Sequence, residues 1–440
     1  MIDSNEIALA RKCLESALQK GAQKVRVTLN KSIMDLAGTL NGELDKTSHC
    51  LDRSLSINLI VDGRFGSFST NRIEDTDSFL DKAIDKARML ATDEFRDLPD
   101  PERTAKDATE GTELGLYDPE YSNTDAQKRI ETALAASIFK SSPQGLISEE
   151  AEYTESISDT LILDSNGLYC RHTETSFDYG VEMTVQDAQG NKFSGYWWDS
   201  SNRRKDLDTS NICPKALERA RAQMGPRPHP GGKTCLVLDP EVSSRVVSPV
   251  LKALSAYSIQ QNNSFLTGKL GEKVFPDSLT IIDDCRVPLS RGSYLFDSEG
   301  VATKTVPIIE KGIIKEYFVN TYMAGKMGIE PTIESATRPR VLAWPRPGLT
   351  QDDILEMCGS GILVTGFNGG NSNSSTGDFS YGIEGFAFEN GKITHPVREM
   401  LITGNFITLW NNLLAAGEDA RGCMSKVIPT LAFSNVDFSA

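Results

Sequence analysis

Histidine is scarce in this chain: four stand among 440 residues, at His49, His172, His229 and His395. They lie too far apart for an H-E-x-x-H pair to set two imidazoles on one helical face, so local sequence supplies no zinc site. Each reads as a lone surface or packed residue. The eight cysteines (Cys13, Cys50, Cys170, Cys213, Cys235, Cys285, Cys358 and Cys423) include no C-x-x-C pair. That spacing excludes a zinc knuckle and a disulfide framework and leaves buried or semi-buried thiols. No run approaches the roughly 20 apolar residues of a membrane-spanning helix. The opening Met1–Glu6 is acidic and polar, without the basic-then-apolar order of a signal peptide. Basic charge is in deficit too, with 46 Lys and Arg against 61 Asp and Glu and a formal charge of -15. Such a balance repels a phosphate backbone and an anionic membrane surface alike. The expectation is a cytoplasmic protein with no direct nucleic-acid partner and no membrane partner.

Two further absences concern chemistry. No G-x-S-x-G elbow gives any serine a nucleophile context. Gly231-Gly232-Lys233-Thr234 looks like the end of a phosphate loop, but Arg227 stands where that loop's first glycine belongs. Pro226, Pro228 and Pro230 also remove backbone donors that would cradle phosphate, so a turn is expected there.

What is present describes an ordinary globular chain, 39% hydrophobic and 24% charged, long enough for two domains or three small ones. Residues 5–20 carry Ile7, Leu9, Ala10, Cys13, Leu14, Ala17 and Leu18 at helical spacing, with Gly21 as the C-terminal cap. Alternating segments at Val25–Leu29 and Leu55–Ile60 predict strands, and Asp62-Gly63 supplies a hairpin turn into Phe65–Ser69. Helices follow at about 75–90 and 124–139, separated by the charged, proline-bearing stretch 93–115, which reads as a linker or surface excursion. From Glu149 to Trp198 the pattern is a β meander turning at Asn166-Gly167 and Gln189-Gly190-Asn191, closed by a helix at 214–224.

The interleaved glycines and prolines of 225–232 break helix and ladder alike and mark the boundary between an N-terminal domain, 1–225, and a C-terminal domain, 233–440. The 93–115 linker offers a sub-boundary in the first. Beyond 233 come a strand at Cys235–Leu238, a helix at about 242–257 and then turn-rich β segments. The class is α+β: an N-terminal α/β domain with antiparallel sheets, then a β-rich domain. The tract 366–377, GFNGGNSNSSTG, lacks the strand-to-helix context of a dinucleotide site. It reads as a mobile loop whose functional counterpart is a backbone-lined peptide groove. Candidate groove residues are Asn368, Gly369, Gly370, Thr376, Gly377 and Asp378.

Several longer strings carry a resemblance when taken together: SFLTGKLGEKV at 264–274, FDSEGVATK at 296–304, TGDFSYGIEGFAFENGKITHPV at 376–397 and ITGNF at 402–406. VDGRFGSFST at 61–70, LDSNGL at 163–168 and SGYWWDS at 194–200 agree with them in the first half. In order and spacing the chain resembles the TldD/PmbA family over nearly its whole length. The resemblance implies a cytosolic peptidase complex. In the family's catalytic subunit an H-E-x-x-x-H helix and a later cysteine hold zinc, and the glutamate acts as general base on the metal-bound water.

Counting back without gaps from Gly268–Glu272, the two histidine positions hold Val247 and Lys252, the glutamate position holds Ser248, and Pro249 lies inside the segment. No histidine occurs between His229 and His395 to restore the motif. Cys423 lies six residues before Pro429, closer than the catalytic subunit's cysteine lies to its corresponding proline, and is not assigned to metal. This departure resembles the PmbA/TldE branch. What it implies is a non-catalytic companion subunit, with no catalytic residue and no metal of its own. It would serve a TldD-type zinc-bearing paralogue in the proteolysis of unfolded or extended peptides, and in isolation it would form a homodimer. The alternative is a regulatory or binding protein of the kind the family's older label, modulator of DNA gyrase, implies. A third reading, a peptidase using Cys423 or an unlinked serine, has only the presence of those residues behind it.

Overall fold

A computed structural model describes residues 1–439 and divides into two compact units. The first comprises Met1–Arg221 with Arg286–Thr303 and Thr321–Ile329. The second comprises Ala222–Cys285, Lys304–Asn320 and Glu330 onward. The two excursions from the second half thus group with the first unit, whereas sequence placed all of 233–440 in one domain. The class is mixed α+β, as expected.

In the first unit, α1 (Ser4–Gln19), β1 (Lys24–Leu40), β2 (Glu43–Val61), β3 (Arg64–Thr70), α2 (Thr76–Ala87), α3 (Ala126–Ala135), β4 (Leu146–Asp164), β5 (Tyr169–Gln186), β6 (Lys192–Ser201) and α4 (Ile212–Ala222) follow in order. Six strands form one antiparallel sheet, β3-β2-β1-β4-β5-β6. Helix α1 starts at a capping box in which Asp3 accepts from the Asn5 and Glu6 amides while Glu6 answers the Asp3 amide. Its apolar stripe, Ala10, Cys13 and Ala17, packs with Leu80 and Ile84 of α2 against Val27, Leu29, Leu55 and Ile57. The period-two alternation of β1 and β2 there meets the 3.6 period of the helices.

Strands β1 and β2 run far past the expected segments. Residues 43–52 of β2 are exposed on both faces and hold to β1 through ladder bonds rather than burial. Stretch 93–115 also departs from expectation: it is no free linker, because Ala105, Ala108 and Leu114, with Leu116 just beyond them, are buried with Ile162, Leu168, Cys170, Leu295 and Phe296. Backbone bonds from Arg171 to Ala108 and from Ala105 to Gly300 tie it down.

The second unit holds β7 (Gly232–Leu238), α5 (Ser244–Ala253), α6 (Ala256–Gln260), β8 (Ile281–Asp283), β9 (Val306–Glu310) and β10 (Ile313–Ile314). After α7 (Thr321–Met327), which returns to the first unit, come β11 (Pro339–Val341), α8 (Gln351–Cys358), β12 (Gly361–Ser372), β13 (Asp378–Glu389), β14 (Lys392–Asn405), α9 (Phe406–Asn411), β15 (Leu413–Ala416) and β16 (Leu431–Ser439). The larger sheet runs β14-β13-β12-β7-β16-β15, and β14 also pairs with β16, closing five strands into a barrel. Only the β7–β12 pair among these is parallel. Cys235 and Val237 face the α8 side with Ile354 and Leu355; the intervening Leu236 and Leu238 are equally buried, so β7 is apolar on both faces. Strands β8 to β11 form a small sheet of their own. No helix among the described residues is long and apolar enough to cross a membrane.

Candidate functional site

Helix α5 carries the positions where the catalytic pattern would place its metal ligands. One side of it is apolar: Val246, Val247, Val250 and Leu251 are buried. The other side presents Arg245, Ser248 and Lys252, which a helical period stacks on one face, with Arg245 and Lys252 exposed. Trp410 of α9, fully buried, donates its indole N–H to the Val246 carbonyl at 3.3 Å and meets Phe433 edge-on at 5.2 Å. That contact fixes the helix at the turn bearing Val247 and Ser248.

Across from α5 runs the glycine-rich tract. Expected as a mobile loop, it is instead mostly strand: β12 continues to Ser372, paired with β13 through bulges after Val364 and Phe367. Gly370 adopts φ +98°, and a Cβ there would meet the Ser380 carbonyl at 2.1 Å, so only glycine lets the bulged strand return to its partner. Residues 373–377 make the turn. Gly377, at φ +82°, lies under the Phe265 ring, and the Phe265 amide donates to the Ser374 carbonyl at 3.0 Å. Two of the strings that carried the resemblance, at 264–274 and 376–397, therefore meet here. Below them an aromatic stack passes from Phe265 through Phe406 and Phe379 to Tyr381, at centroid spacings of 5.8, 4.9 and 5.3 Å. The Arg245 guanidinium closes it, 4.4 Å over the Tyr381 ring.

Two adjoining depressions lie between α5 and the tract. One, about 240 Å³, is lined by Ser248, Pro249, Lys252, Asn263, Phe265 and 372–374; the other, about 470 Å³, by Ser244, Arg245, Ser248, Gly370–Ser372 and Tyr381. Ser248, Pro249 and Ser372 belong to both. Of the six candidate groove residues, only Gly370 lines this space. Asn368 and Gly369 are exposed on the bulge, and Gly377 is buried. Thr376 and Asp378 bond to each other and to Asn405, whose amide with the Thr376 hydroxyl holds the Asp378 carboxyl below the usual range.

A third cation, outside the lining of both depressions, reaches Ser248 from a distant part of the chain. Lys426 donates to the Ser248 hydroxyl at 2.8 Å, and burial lowers its pKa. Sequence reasoning missed it, since 178 positions separate the pair and nothing local marks Lys426. These residues do not fit a zinc ion: Val247 offers no lone pair, Lys252 is a cation, and an ammonium already occupies the Ser248 oxygen. The Cys423 thiol is buried.

The remaining histidines and thiols are scattered, with one unexpected neighbourhood. His49 pairs with Asp35 at 2.8 Å, and His172 stacks on Tyr294 at 4.1 Å. Burial and then repulsion from His395 lower the His229 pKa, so His229 and His395 are neighbours rather than solitary. Cys50 is exposed, against the expectation of buried or semi-buried thiols.

Comparison with known proteins bears on the same elements. Residues 231–440 match the model of the PmbA/TldA metallopeptidase C-terminal domain, and residues 119–224 match that of its central domain. A solved structure from Bacteroides thetaiotaomicron that bears the name modulator of DNA gyrase is 39% identical, covers 100% of both chains and superposes with a TM-score of 0.94. The metalloprotease PmbA of Escherichia coli O157:H7 is 25% identical over 97% of each chain. TldE from Thermococcus kodakarensis, 20% identical with a TM-score of 0.81 over 98% of this chain and 100% of its own, shares the fold.

Proposed function

The chain belongs to the PmbA/TldD metallopeptidase family, and from that premise we propose that it is a companion subunit without a metal centre of its own. In this reading it works in the cytoplasm beside a zinc-bearing paralogue that hydrolyses unfolded or extended peptides. The observation carrying it is the character of α5, where an aliphatic side chain, a lysine-engaged hydroxyl and a lysine stand at the motif positions. The space facing α5 is bordered by the end of β12, whose bulged backbone gives an extended chain main-chain partners with little sequence selectivity.

Pairing needs a surface, and the outer edge of β2 offers one. Strand β3 begins its pairing at Leu55, so residues 43–54 have no further strand beside them among the described residues. Leu44 and Leu51 are exposed there among charged and polar neighbours, and an open strand edge is a template for association. Mixing the chain with a zinc-bearing relative is expected to give a heterodimer in size-exclusion chromatography. Leu44→Lys with Leu51→Lys should weaken that species while leaving the melting temperature unchanged, as surface changes of this kind do. A chain that associates with no such relative would remove the basis of the companion reading. The name borne by the Bacteroides structure favours a second reading, a regulatory binding protein. Association with a non-peptidase target and no effect on proteolysis would establish that one instead.

A further inference from the structure

The space between α5 and the β12 tract has a charge that the rest of the chain does not foretell. In a protein of formal charge -15, none of the residues lining the two depressions is an acid. Arg245 and Lys252 flank Ser248 on one face of α5, two turns apart and so separated by about 10 Å along the axis. Lys426 lines neither depression but bonds to Ser248, which lines both, its ammonium 2.8 Å from the hydroxyl. No carboxylate lies within ion-pair distance of Arg245, Lys252 or Lys426 among the described residues. Most cations elsewhere in the second unit are paired, as with Lys269 and Glu272, Lys273 and Asp277, or Arg421 and Glu241. The remaining polar lining, Ser244, Asn263, Asn371 and residues 372–374 among it, is neutral.

We infer that this groove binds the carboxylate of a peptide, held between Arg245 and Lys252 and turned toward the Ser248–Lys426 pair. The inference rests on the companion reading, because that reading brings an extended peptide to this unit. It adds the class of ligand that the groove selects. A half-buried ammonium whose partner is a neutral hydroxyl is poorly compensated, and an incoming carboxylate supplies the missing charge. Arg245 is already held in place: stacking on Tyr381 at 4.4 Å orders the guanidinium before the ligand arrives, so less freedom is lost on binding. Flanking cations also speed the encounter with an anion, and this contribution fades with salt.

A carboxylate can come from a peptide's C-terminus or from Asp and Glu side chains, and the test separates the two. Fluorescein-labelled extended peptides would be titrated with the full chain in four forms: neutral side chains with a C-terminal acid, the same with a C-terminal amide, and each again with one Glu near the C-terminus. The acid or the Glu peptide is expected to bind about tenfold more tightly than the neutral amide, the size of one charge-assisted contact. If the gain follows the C-terminal acid alone, the groove reads chain ends; if it follows Glu equally, the groove reads any carboxylate. Arg245→Gln with Lys252→Gln should reduce all four peptides to the amide's affinity. Arg245→Glu with Lys252→Glu should reverse the preference toward Lys-bearing amides. Both changes are at exposed positions, so an unchanged melting curve shows the fold intact. Lys426→Met, if it also keeps the fold, should lose part of the gain. Four equal affinities, or no binding at all, would overturn the carboxylate site. Neither result touches the companion reading, which is tested by association and by activity with the zinc-bearing relative.

Discussion

Glu155→Ala is expected to destabilise the first unit by about 3–5 kcal/mol, the usual cost of removing one member of a buried charge cluster. The Glu155 side chain has no exposed surface. It accepts from Arg129 Nε at 2.8 Å, from Arg204 at 3.0 and 3.2 Å, and from the Tyr153 hydroxyl at 2.8 Å. Arg129 turns its other nitrogen to Asp35 at 3.2 Å, and Arg204 lies over the Phe177 ring. One carboxylate of β4 therefore holds α3, through Arg129, and the segment after β6, through Arg204, against the sheet. Deleting it leaves two guanidiniums facing each other in low dielectric and a tyrosine hydroxyl without its acceptor. The exposed pair Lys46–Glu152 on the same sheet is the control, and Glu152→Ala should cost less than about 1 kcal/mol. Urea unfolding followed at constant m-value measures both. Equal costs would mean that the buried cluster contributes no more than a surface pair.

Trp410→Ala should cost about as much, roughly 3–5 kcal/mol, by opening a large cavity where α9, α5 and β16 meet. Trp410 is the bulkiest fully buried side chain of the protein. Its loss removes the edge-on contact with Phe433 and the bond to the Val246 carbonyl. Trp410→Phe keeps most of the volume and forfeits the hydrogen bond, for which about 1–2 kcal/mol is expected. Because Val246 adjoins the turn carrying Arg245 and Ser248, the phenylalanine variant should also weaken peptide binding more than its modest change in melting temperature suggests. Peptide titration beside thermal unfolding tests the link. Binding that falls only in step with stability would show Trp410 to be plain core.

How much of this was legible in the sequence follows from which interactions are local. Helix α1 was visible because its stripe and its cap are written within sixteen residues. The Asp62-Gly63 and Asn166-Gly167 turns were visible because turn chemistry is carried by two residues. The full lengths of β1 and β2 were not. Between Asn30 and Ser54 their alternation lapses, and register with β4 and with each other holds them instead. Glycine, asparagine and serine made 366–377 read as a loop, yet pairing with β13 supplies the ladder that composition argued against. The 93–115 stretch hid Ala105, Ala108 and Leu114, buried apolar residues at irregular spacing that no periodic template detects.

The candidate site was half legible. Family-like strings located α5 and the glycine-rich tract, and the missing metal motif was plain from residue identity. The convergence of Arg245, Lys252 and Lys426 was not, because it depends on a contact between α5 and a segment 178 residues away.

The most direct test of the central claim is a peptidase assay on an unfolded substrate with zinc content measured on the same samples, for the purified chain alone and after mixing with a zinc-bearing relative. The companion account predicts neither zinc nor cleavage for the chain alone, and both in the mixture. Zinc-dependent cleavage by the isolated chain would contradict it, and would mean that a metal site forms from residues other than Val247, Ser248 and Lys252.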